Sequence, residues 1–355
     1  MREGGYVIVV VACLLVVLLG FSALAVDLGI LYSARTSAQR AADAAALAGA
    51  FTFVVDPTSP QPATATQHAQ QTAVKNAILG APIQAGDVTI AVDLPNRRVT
   101  VSIARNENTF FGGVLGVTNA SIKTTAYAEA SPNATASYCV KPWFIPNTIA
   151  SAQAPCTACA NGQVLIRNGQ PTPYAISQYG AQVSIKPQNP SGAISPGQFF
   201  AIQLPGAVGA NDYRNEIATC YATSVPCGQS YSVETGNMVG PTKQGVNDLI
   251  GNPPTDTYIG VGQYRHSDGT ISDTSIALVV APIWDTCNFP GFCPGNQFPN
   301  GTNVNVQIVG YAMLFLSGVQ GNNVVARLIN VSACGGGNPT ETGPFAIPIR
   351  LVRIN

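Results

Sequence analysis

Residues 6–50 read YVIVVVACLLVVLLGFSALAVDLGILYSARTSAQRAADAAALAGA. The first part, residues 6–26, is uncharged and apolar. At about 1.5 Å rise per residue it is long enough for a helix to cross the roughly 30 Å hydrocarbon core of a bilayer. The second part, residues 27–50, keeps a helical pattern but becomes rich in alanine, and no proline interrupts it. The stretch therefore predicts one continuous helix that begins in a membrane and continues into water.

Small side chains recur at every fourth position in the second part of this helix. Residues four apart share one helix face, and a face of small side chains lets another backbone approach closely. Alanine also favours helix by itself, but Ser37 and Gly49 do not, so close packing is favoured. The partner is either the next predicted helix of this chain or another subunit, and Asp43 should face water or meet a cation such as Arg40. The two rows are Ala34, Ala38, Ala42, Ala46 and Ala50, and Ser37, Ala41, Ala45 and Gly49.

A cleaved signal peptide is the alternative for this N-terminus, because residues 23–25 offer an A-x-A cleavage pattern. The apolar run is longer than a signal peptide needs, and the only basic residue before it is Arg2. The helical pattern also continues beyond the cleavage pattern. These features favour a retained membrane anchor.

The overall composition narrows the classes of function. The chain has 355 residues with a net charge of zero, and 10% of its residues are charged. Without a basic excess, we predict no nucleic-acid partner. The two histidines, His68 and His266, leave little material for histidine-based catalysis or metal binding. We therefore predict neither a cofactor nor a metal site.

The nine cysteines are unevenly distributed, with Cys13 in the apolar span and all the others after residue 138. An even number of cysteines on one side of a membrane helix indicates disulfides in an oxidising compartment. This places the part of the chain that follows the helix outside the cytoplasm. The sequence alone leaves the connectivity open. Short spacings favour local pairs, and the outermost two cysteines would then bond to each other. The predicted pairs are Cys220–Cys227, Cys287–Cys293, Cys156–Cys159 and Cys139–Cys334.

The remaining chain predicts an α+β fold with domains at residues 1–54, 55–130 and 131–355. The second domain is a small αβ module, with helices at 63–79 and 109–117 and strands at 87–93, 97–104 and 121–130. Residues 133–137 predict a linker. The distal domain is β-rich, a sandwich or a barrel with two short helices. Its predicted strands are 163–167, 181–186, 198–204, 257–262, 274–284, 303–317, 323–331 and 345–354, and its helices are 210–219 and 242–250.

The run A-V-D-L-G-x-L-Y at residues 25–32, followed by Q-R-A-A-D-A-A-A-L-A-G-A, resembles the N-terminal signature of the TadE/TadG-like family of Tad (Flp) pilus-assembly proteins. The resemblance is tight over the first 50 residues and loose to about residue 130. It implies a non-enzymatic, membrane-anchored pilus-assembly component or a pseudopilin-like subunit. The implied location is the bacterial inner membrane, with the C-terminal domain in the periplasm or at the cell surface.

The resemblance also implies partners, namely the membrane, other pilus-assembly proteins or pilin-like subunits, and further copies of the chain. The module around residues 55–130 is similar to the membrane-proximal part of such proteins, and a long helix laid against a small sheet is how pilin-like subunits are built. The predicted helix-packing or partner-contact residues are Asp27, Gly29, Tyr32, Ala34, Ala38, Ala42, Asp43, Ala45, Ala46 and Gly49.

Four distal stretches also resemble TadE/TadG-like sequences that lack an integrin-type module. In the last of them, Gly236 and Gly240 permit a tight turn and Pro241 opens the helix that follows. The start of that helix could attract an anion beside Lys243, but the glycine-rich context of a nucleotide loop is absent and a structural joint is favoured. The four stretches are residues 141–143 (KPW), 196–200 (PGQFF), 209–217 (GANDYRNEI) and 234–246 (ETGNMVGPTKQGV).

Other candidate chemistry is weaker. Residues 273–277, D-T-S-I-A, fail the fifth position of the D-x-S-x-S metal motif of von Willebrand A modules, so we predict that this module is absent. Cys156 and Cys159 could form a redox pair, but their loop favours a structural disulfide. His266 has a serine and an aspartate as sequence neighbours, whereas a catalytic triad is assembled from distant segments. A secreted hydrolase therefore has no convincing site.

Two alternatives stay open. The first is a membrane-tethered binding or adhesion module for glycan or matrix, unrelated to a pilus, which the β-rich distal domain would fit equally well. The second is processing of the prepilin type, for which Gly4 and Gly5 offer a glycine but no glutamate follows near the expected position.

Overall fold

The computed structural model describes residues 4–57, 62–148, 159–186, 201–207, 209–234, 238–288, 305–335 and 343–353. The chain forms two compact units. Unit 1 consists of Met1–Ala50, Gln61–Glu129 and Arg350–Asn355, and unit 2 consists of Phe51–Pro60 and Ala130–Ile349. Helices and sheets occur in both parts of the chain, and the predicted α+β fold class is confirmed.

The helices and strands have the following bounds. The helices are α1 (Gly4–Val55), α2 (Pro62–Val74), α3 (Pro173–Ser177), α4 (Gly209–Ala218) and α5 (Val239–Ile250). The strands are β1 (Ala77–Ile78), β2 (Ala81–Pro82), β3 (Val88–Asp93), β4 (Arg98–Asn108), β5 (Asn119–Ala130), β6 (Asn133–Ala134), β7 (Ala136–Ser137), β8 (Ile145–Pro146), β9 (Ile166–Arg167), β10 (Gln170–Pro171), β11 (Gln182–Lys186), β12 (Val225–Pro226), β13 (Ser230–Ser232), β14 (Thr257–Gly260), β15 (Gln263–Arg265), β16 (Ile271–Ser272), β17 (Leu278–Trp284), β18 (Asn305–Gln320), β19 (Asn323–Cys334) and β20 (Ile349–Leu351).

The long helix α1 runs without a break, as its proline-free sequence predicts. The second helix ends earlier than predicted, at Val74 rather than near residue 79. Asn76 Nδ2 donates to the Thr72 carbonyl at 2.8 Å, which satisfies one of the free carbonyls in the last turn. The chain then turns back through Leu79 and Gly80, whose φ angles of 48° and 80° are incompatible with a helix.

Unit 1 contains a sheet with the order β20-β5-β4-β3, and its three longer strands form an antiparallel meander. Side chains alternate along β4, so that Val99, Val101 and Ile103 are fully buried on one face. The helix predicted at residues 109–117 was wrong in type and extent, because this segment is a loop between β4 and β5 with a 3-10 turn at Gly112–Leu115. Three glycines in this segment disfavour a longer helix.

Unit 2 is organised around a seven-stranded sheet with the order β11-β19-β18-β17-β8. Strand β13 also pairs with β18, and β6 with β19. All residues of β17 are buried, as expected for an apolar strand that is covered on both faces. The largest buried side chains include Trp143, Trp284 and Tyr311, and the rings of Phe144 and Trp284 meet edge to face at 5.8 Å. This sheet therefore holds the core of unit 2.

One prediction in this region was wrong, and another is tested only in part. Residues 133–137 are not a linker, because β6 pairs with β19, β7 pairs with β12, and Ala134 is fully buried. Their small and polar composition suits short strands as well as linkers. The strand predicted at 198–204 starts outside the described residues, and Ala201 and Ile202 within it form only isolated bridges.

The two longer helices of unit 2 were predicted correctly in type, and they pack against each other. Gly245 on α5 allows this contact, because a Cβ there would lie 2.8 Å from the Arg214 carbonyl oxygen and 2.8 Å from Ile217 Cβ on α4. Arg214 and Asp248 join the same two helices by an ion pair of 2.7 Å. The helices therefore form one pair.

Candidate functional site

The apolar part of α1 has the composition and length of a membrane span. A candidate span lies within Val7–Val55, and none of its most apolar stretch is buried in the protein. Large apolar side chains such as Leu14, Leu18 and Phe21 are exposed along it. Such a surface is unfavourable in water and favourable in lipid. The structure thus supports single-pass membrane anchoring through α1.

Asp27 is the first charged residue after the apolar span, and it is buried with 6% of its surface exposed. Its Oδ1 accepts the backbone N–H groups of Phe110 at 2.8 Å and Phe111 at 3.1 Å, and its Oδ2 accepts that of Gly112 at 2.6 Å. These amides open the 3-10 turn, and a carboxylate is a strong acceptor for donors that have no partner in the turn itself. Asp27 therefore fixes the β4–β5 loop to α1.

The small-residue rows of α1 are used inside unit 1. Gly49 shows why small residues are needed there, because a Cβ would lie 2.9 Å from Val99 Cγ1 and 3.2 Å from the Ala65 carbonyl oxygen. Of the two partners considered from sequence, this chain's own next helix is the one observed, together with the sheet. The fully or almost fully buried members are Ala34, Ala38, Ala41, Ala42, Ala45, Ala46 and Ala50.

Asp43 was predicted either to face water or to pair with a cation such as Arg40, and it does neither fully. It is partly buried and accepts a hydrogen bond from Gln39 Nε2 at 2.8 Å, and that amide also lies 3.4 Å from the Thr125 carbonyl oxygen. The expected cation is replaced by an amide four residues away on the same helix. Asp43 thus connects to the sheet of unit 1 through Gln39.

The face of α1 opposite the buried alanines is exposed. Tyr32 is 76% exposed, Leu28 is also exposed, and a Cβ at Gly29 would meet nothing within 4 Å. A cleft of about 630 Å³ lies between this part of α1 and the start of β5. It is lined by Leu28, Leu31, Tyr32, Arg35, Ala120, Ser121, Ile122 and Lys123.

Among the described residues of unit 2, three disulfides join cysteines that are far apart in the sequence. The predicted pairs Cys220–Cys227 and Cys139–Cys334 were wrong, as was the assignment of Cys159 and Cys287 to nearby partners. Cys156 and Cys293 lie outside the described residues. The fold brings distant loops together, so short sequence spacing is a poor guide to pairing. The observed pairs are Cys139–Cys220, Cys159–Cys287 and Cys227–Cys334.

Lys141, from the KPW stretch, is a buried side chain at the end of α4. Its Nζ donates to the carbonyl oxygens of Ile217 at 2.7 Å and Glu216 at 3.4 Å, and to that of Thr219. These carbonyls lie at the negative end of the helix dipole, where a cation is favoured. Burial lowers the pKa of Lys141 to about 8. Sequence analysis missed this role, although a lysine between apolar residues was a signal for it.

Three of the four family-like stretches meet around Tyr213. Trp143 Nε1 donates to the Tyr213 hydroxyl at 2.9 Å, and Thr242 Oγ1 lies 3.3 Å from the same oxygen. All three side chains are buried. The stretch at 196–200 lies outside the described residues, as do residues 235–237 of the fourth stretch. The KPW, GANDYRNEI and ETGNMVGPTKQGV stretches thus build a shared buried polar cluster.

Glu216 belongs to the same cluster and is buried. Burial, with the negative charges of Asp212 and Glu234, raises the pKa of Glu216 to about 7, well above the roughly 4.3 of an unfolded chain. The folded state therefore binds this proton more tightly than the unfolded state. Its contribution to stability is full below about pH 4 and is lost as the pH rises through 7.

Replacing Glu216 with glutamine should remove this loss. The free energy of unfolding of the wild type should fall between about pH 4 and 7 relative to Glu216→Gln, and the variant should be more stable at pH 8 by about 2–3 kcal/mol. Trp143 and Trp284 are the only tryptophans and are both buried in unit 2, so urea unfolding followed by tryptophan fluorescence reports on this unit. Asp212→Asn should give an intermediate profile, and parallel profiles for wild type and Glu216→Gln would contradict the prediction.

The structure also brings His266 near distant polar residues. Its Nδ1 lies 3.1 Å from Asp256 Oδ1, and Ser275 Oγ donates to Asp256 Oδ2. A serine–histidine–aspartate triad needs the imidazole between the serine and the carboxylate. Here the carboxylate lies between the other two, so these three residues do not have the arrangement of a catalytic triad.

A second cleft, of about 550 Å³, lies in unit 2. Cys159, Cys287 and Cys334 line it, and several of its polar side chains form hydrogen bonds within the protein. Gln307 Nε2 donates to the Gly228 carbonyl at 3.1 Å, and Asp285 accepts the backbone N–H of Cys287. The adhesion alternative gains no support from this cleft and stays a prediction. In the part of the chain that the structure describes, no group of three His, Cys, Asp or Glu side chains could hold a metal ion.

Comparison with known proteins gives one result, and it concerns α1. Residues 5–52 match the family Tad, described as putative Flp pilus-assembly TadE/G-like. No curated protein and no solved structure matches the chain. The matched segment contains the apolar span, which is exposed. It also contains Asp27 and the small-residue rows, which are the features that join α1 to the rest of unit 1. The N-terminal helix of this chain therefore carries the signature of the putative Flp pilus-assembly TadE/G-like family.

Proposed function

We propose that the chain is a non-enzymatic, membrane-anchored component of Tad/Flp-type pilus assembly, or a pseudopilin-like subunit of such an assembly. The match of residues 5–52, on a helix whose apolar half is exposed, carries the proposal. The anchor lies in the bacterial inner membrane, with unit 2 in the periplasm or at the cell surface. The three disulfides among the described residues of unit 2 support a location outside the cytoplasm, because such bonds form and persist in oxidising compartments.

A partner protein can reach α1 only on the face that unit 1 leaves exposed. The buried alanines at 34, 38, 42, 45 and 46 support the fold of unit 1 and are covered. Leu28, Gly29 and Tyr32 lie within two turns of the end of the apolar span and are exposed. Tyrosine and leucine next to a glycine offer both apolar area and close backbone approach. The partner is another pilus-assembly protein, a pilin-like subunit or a second copy of this chain.

Photo-crosslinking in cells that assemble Flp-type pili tests this function. A photoreactive phenylalanine analogue replaces Tyr32 in the full-length protein, and a matched control replaces Leu94, which is exposed in the β3–β4 turn of the same unit. We expect adducts with pilus-assembly proteins or with a second copy from position 32 and none from position 94. Adducts from neither position, or the same adducts from both, would contradict the proposal.

A further inference from the structure

We propose that the β4–β5 loop, residues 109–118, is a second membrane contact that lies in the headgroup and upper acyl region beside α1. The inference rests on the proposed function only in taking α1 as a membrane anchor. The loop exposes Phe110 by 77%, Val114 by 89% and Val117 by 53%. No charged residue occurs between Glu107 and Lys123. A contiguous exposed apolar patch of this kind marks a contact surface.

The loop lies at the membrane end of unit 1. Asp27, which directly follows the apolar span, binds the amides of Phe110, Phe111 and Gly112. Farther along α1, Gln39 reaches the Thr125 carbonyl, and Gly49 lies against Val99.

The order of these contacts along α1 shows which end of the β4–β5 hairpin lies nearer to the apolar span. The register pairs Val99 with Ala128 at the base of the β4–β5 hairpin and Asn108 with Asn119 at its tip. As α1 leaves the apolar span, its contacts therefore pass from the loop toward the base. At about 1.5 Å per residue, the contacts at residues 27 and 49 are roughly 33 Å apart along the helix. The loop is thus the part of this sheet nearest the span.

The residues around the β4–β5 loop favour lipid, rather than another protein, as the partner of its apolar side chains. The apolar loop is continuous at Asp27 with the lipid-exposed face of α1. Just beyond it, Tyr32, Arg35 and Lys123 line the cleft of about 630 Å³. Tyrosine and basic side chains beside an apolar segment are typical of the boundary between lipid and water, where the cations meet phosphate. Aromatic and aliphatic side chains enter this boundary from interfacial elements.

Depth-dependent fluorescence quenching tests the contact in the full-length protein. Val114→Trp and, separately, the conservative Phe110→Trp are reconstituted in phosphatidylcholine–phosphatidylglycerol vesicles with and without brominated acyl chains. The wild-type signal of Trp143 and Trp284 is subtracted. Two controls in the same chain are Leu18→Trp in the apolar span and Leu94→Trp in the β3–β4 turn.

We expect Val114→Trp and Phe110→Trp to shift their emission to shorter wavelength in vesicles and to lose intensity with the brominated lipid. Leu18→Trp should lose intensity, and Leu94→Trp should not. If the loop tryptophans keep their intensity while Leu18→Trp is quenched, the loop contact is wrong and the anchor stands. A short-wavelength shift without quenching indicates a protein partner and also overturns the lipid contact. If Leu18→Trp is not quenched either, the membrane anchor itself fails.

Discussion

Replacing Asp27 with alanine is expected to release the β4–β5 loop and to speed amide exchange in residues 109–118 by roughly 30- to 150-fold. The carboxylate accepts three backbone N–H groups, and hydrogen bonds to a charged group contribute about 1.5–3 kcal/mol each. Some of these donors will find water in the variant, so a net loss of about 2–3 kcal/mol of local stability is expected. Hydrogen–deuterium exchange of the full-length protein in detergent micelles measures it.

Asp43→Ala is the matched control for this prediction. Asp43 lies on the same helix and is partly buried, but its bond goes to Gln39 and not to the loop. The control should leave exchange at residues 109–118 unchanged, and Asp27→Asn, which keeps a weaker acceptor, should give a smaller increase. Equal exchange in the wild type and Asp27→Ala would show that other contacts hold the loop.

The long helix was predictable because its cause is local. An apolar run followed by alanine at every fourth position, without proline, dictates a helix whatever surrounds it. The same holds for the hairpin of β3 and β4 and for the strands β17, β18 and β19, whose side-chain patterns are strong. Small side chains likewise predicted close packing, and Gly49 shows that packing against α2 and β4.

The partners of the polar residues were not predictable, because they depend on contacts between distant segments. Asp27 binds amides more than 80 residues away, and Lys141 binds the end of a helix more than 70 residues away. Cys227 bonds to Cys334 across a separation of 107 residues rather than to Cys220. In each case the sequence shows that a buried polar group or a thiol needs a partner, but several candidates satisfy that need equally. Only the fold selects among them.

Replacing Lys141 with methionine is expected to destabilise unit 2 by about 2–4 kcal/mol at pH 7. Methionine fills a similar volume but donates no hydrogen bond, so the carbonyls of Ile217 and Thr219 at the end of α4 lose their donor. An unsatisfied buried acceptor costs about 1–3 kcal/mol. Urea unfolding followed by the fluorescence of Trp143 and Trp284 measures the change. Lys243→Met is the matched control, because Lys243 is exposed in the same family-like region and its loss should change stability little.

The pH dependence separates a buried cation from a simple packing role. Burial lowers the pKa of Lys141 to about 8, below the roughly 10.4 of an unfolded lysine. Between these values the unfolded state binds more protons than the folded state, so this group makes the free energy of unfolding rise with pH. The advantage of the wild type over Lys141→Met should therefore widen from pH 8 to pH 10, by at most about 3 kcal/mol. A gap that stays constant across this range would contradict the prediction, because it would show that the pKa of Lys141 is the same in the folded and unfolded states.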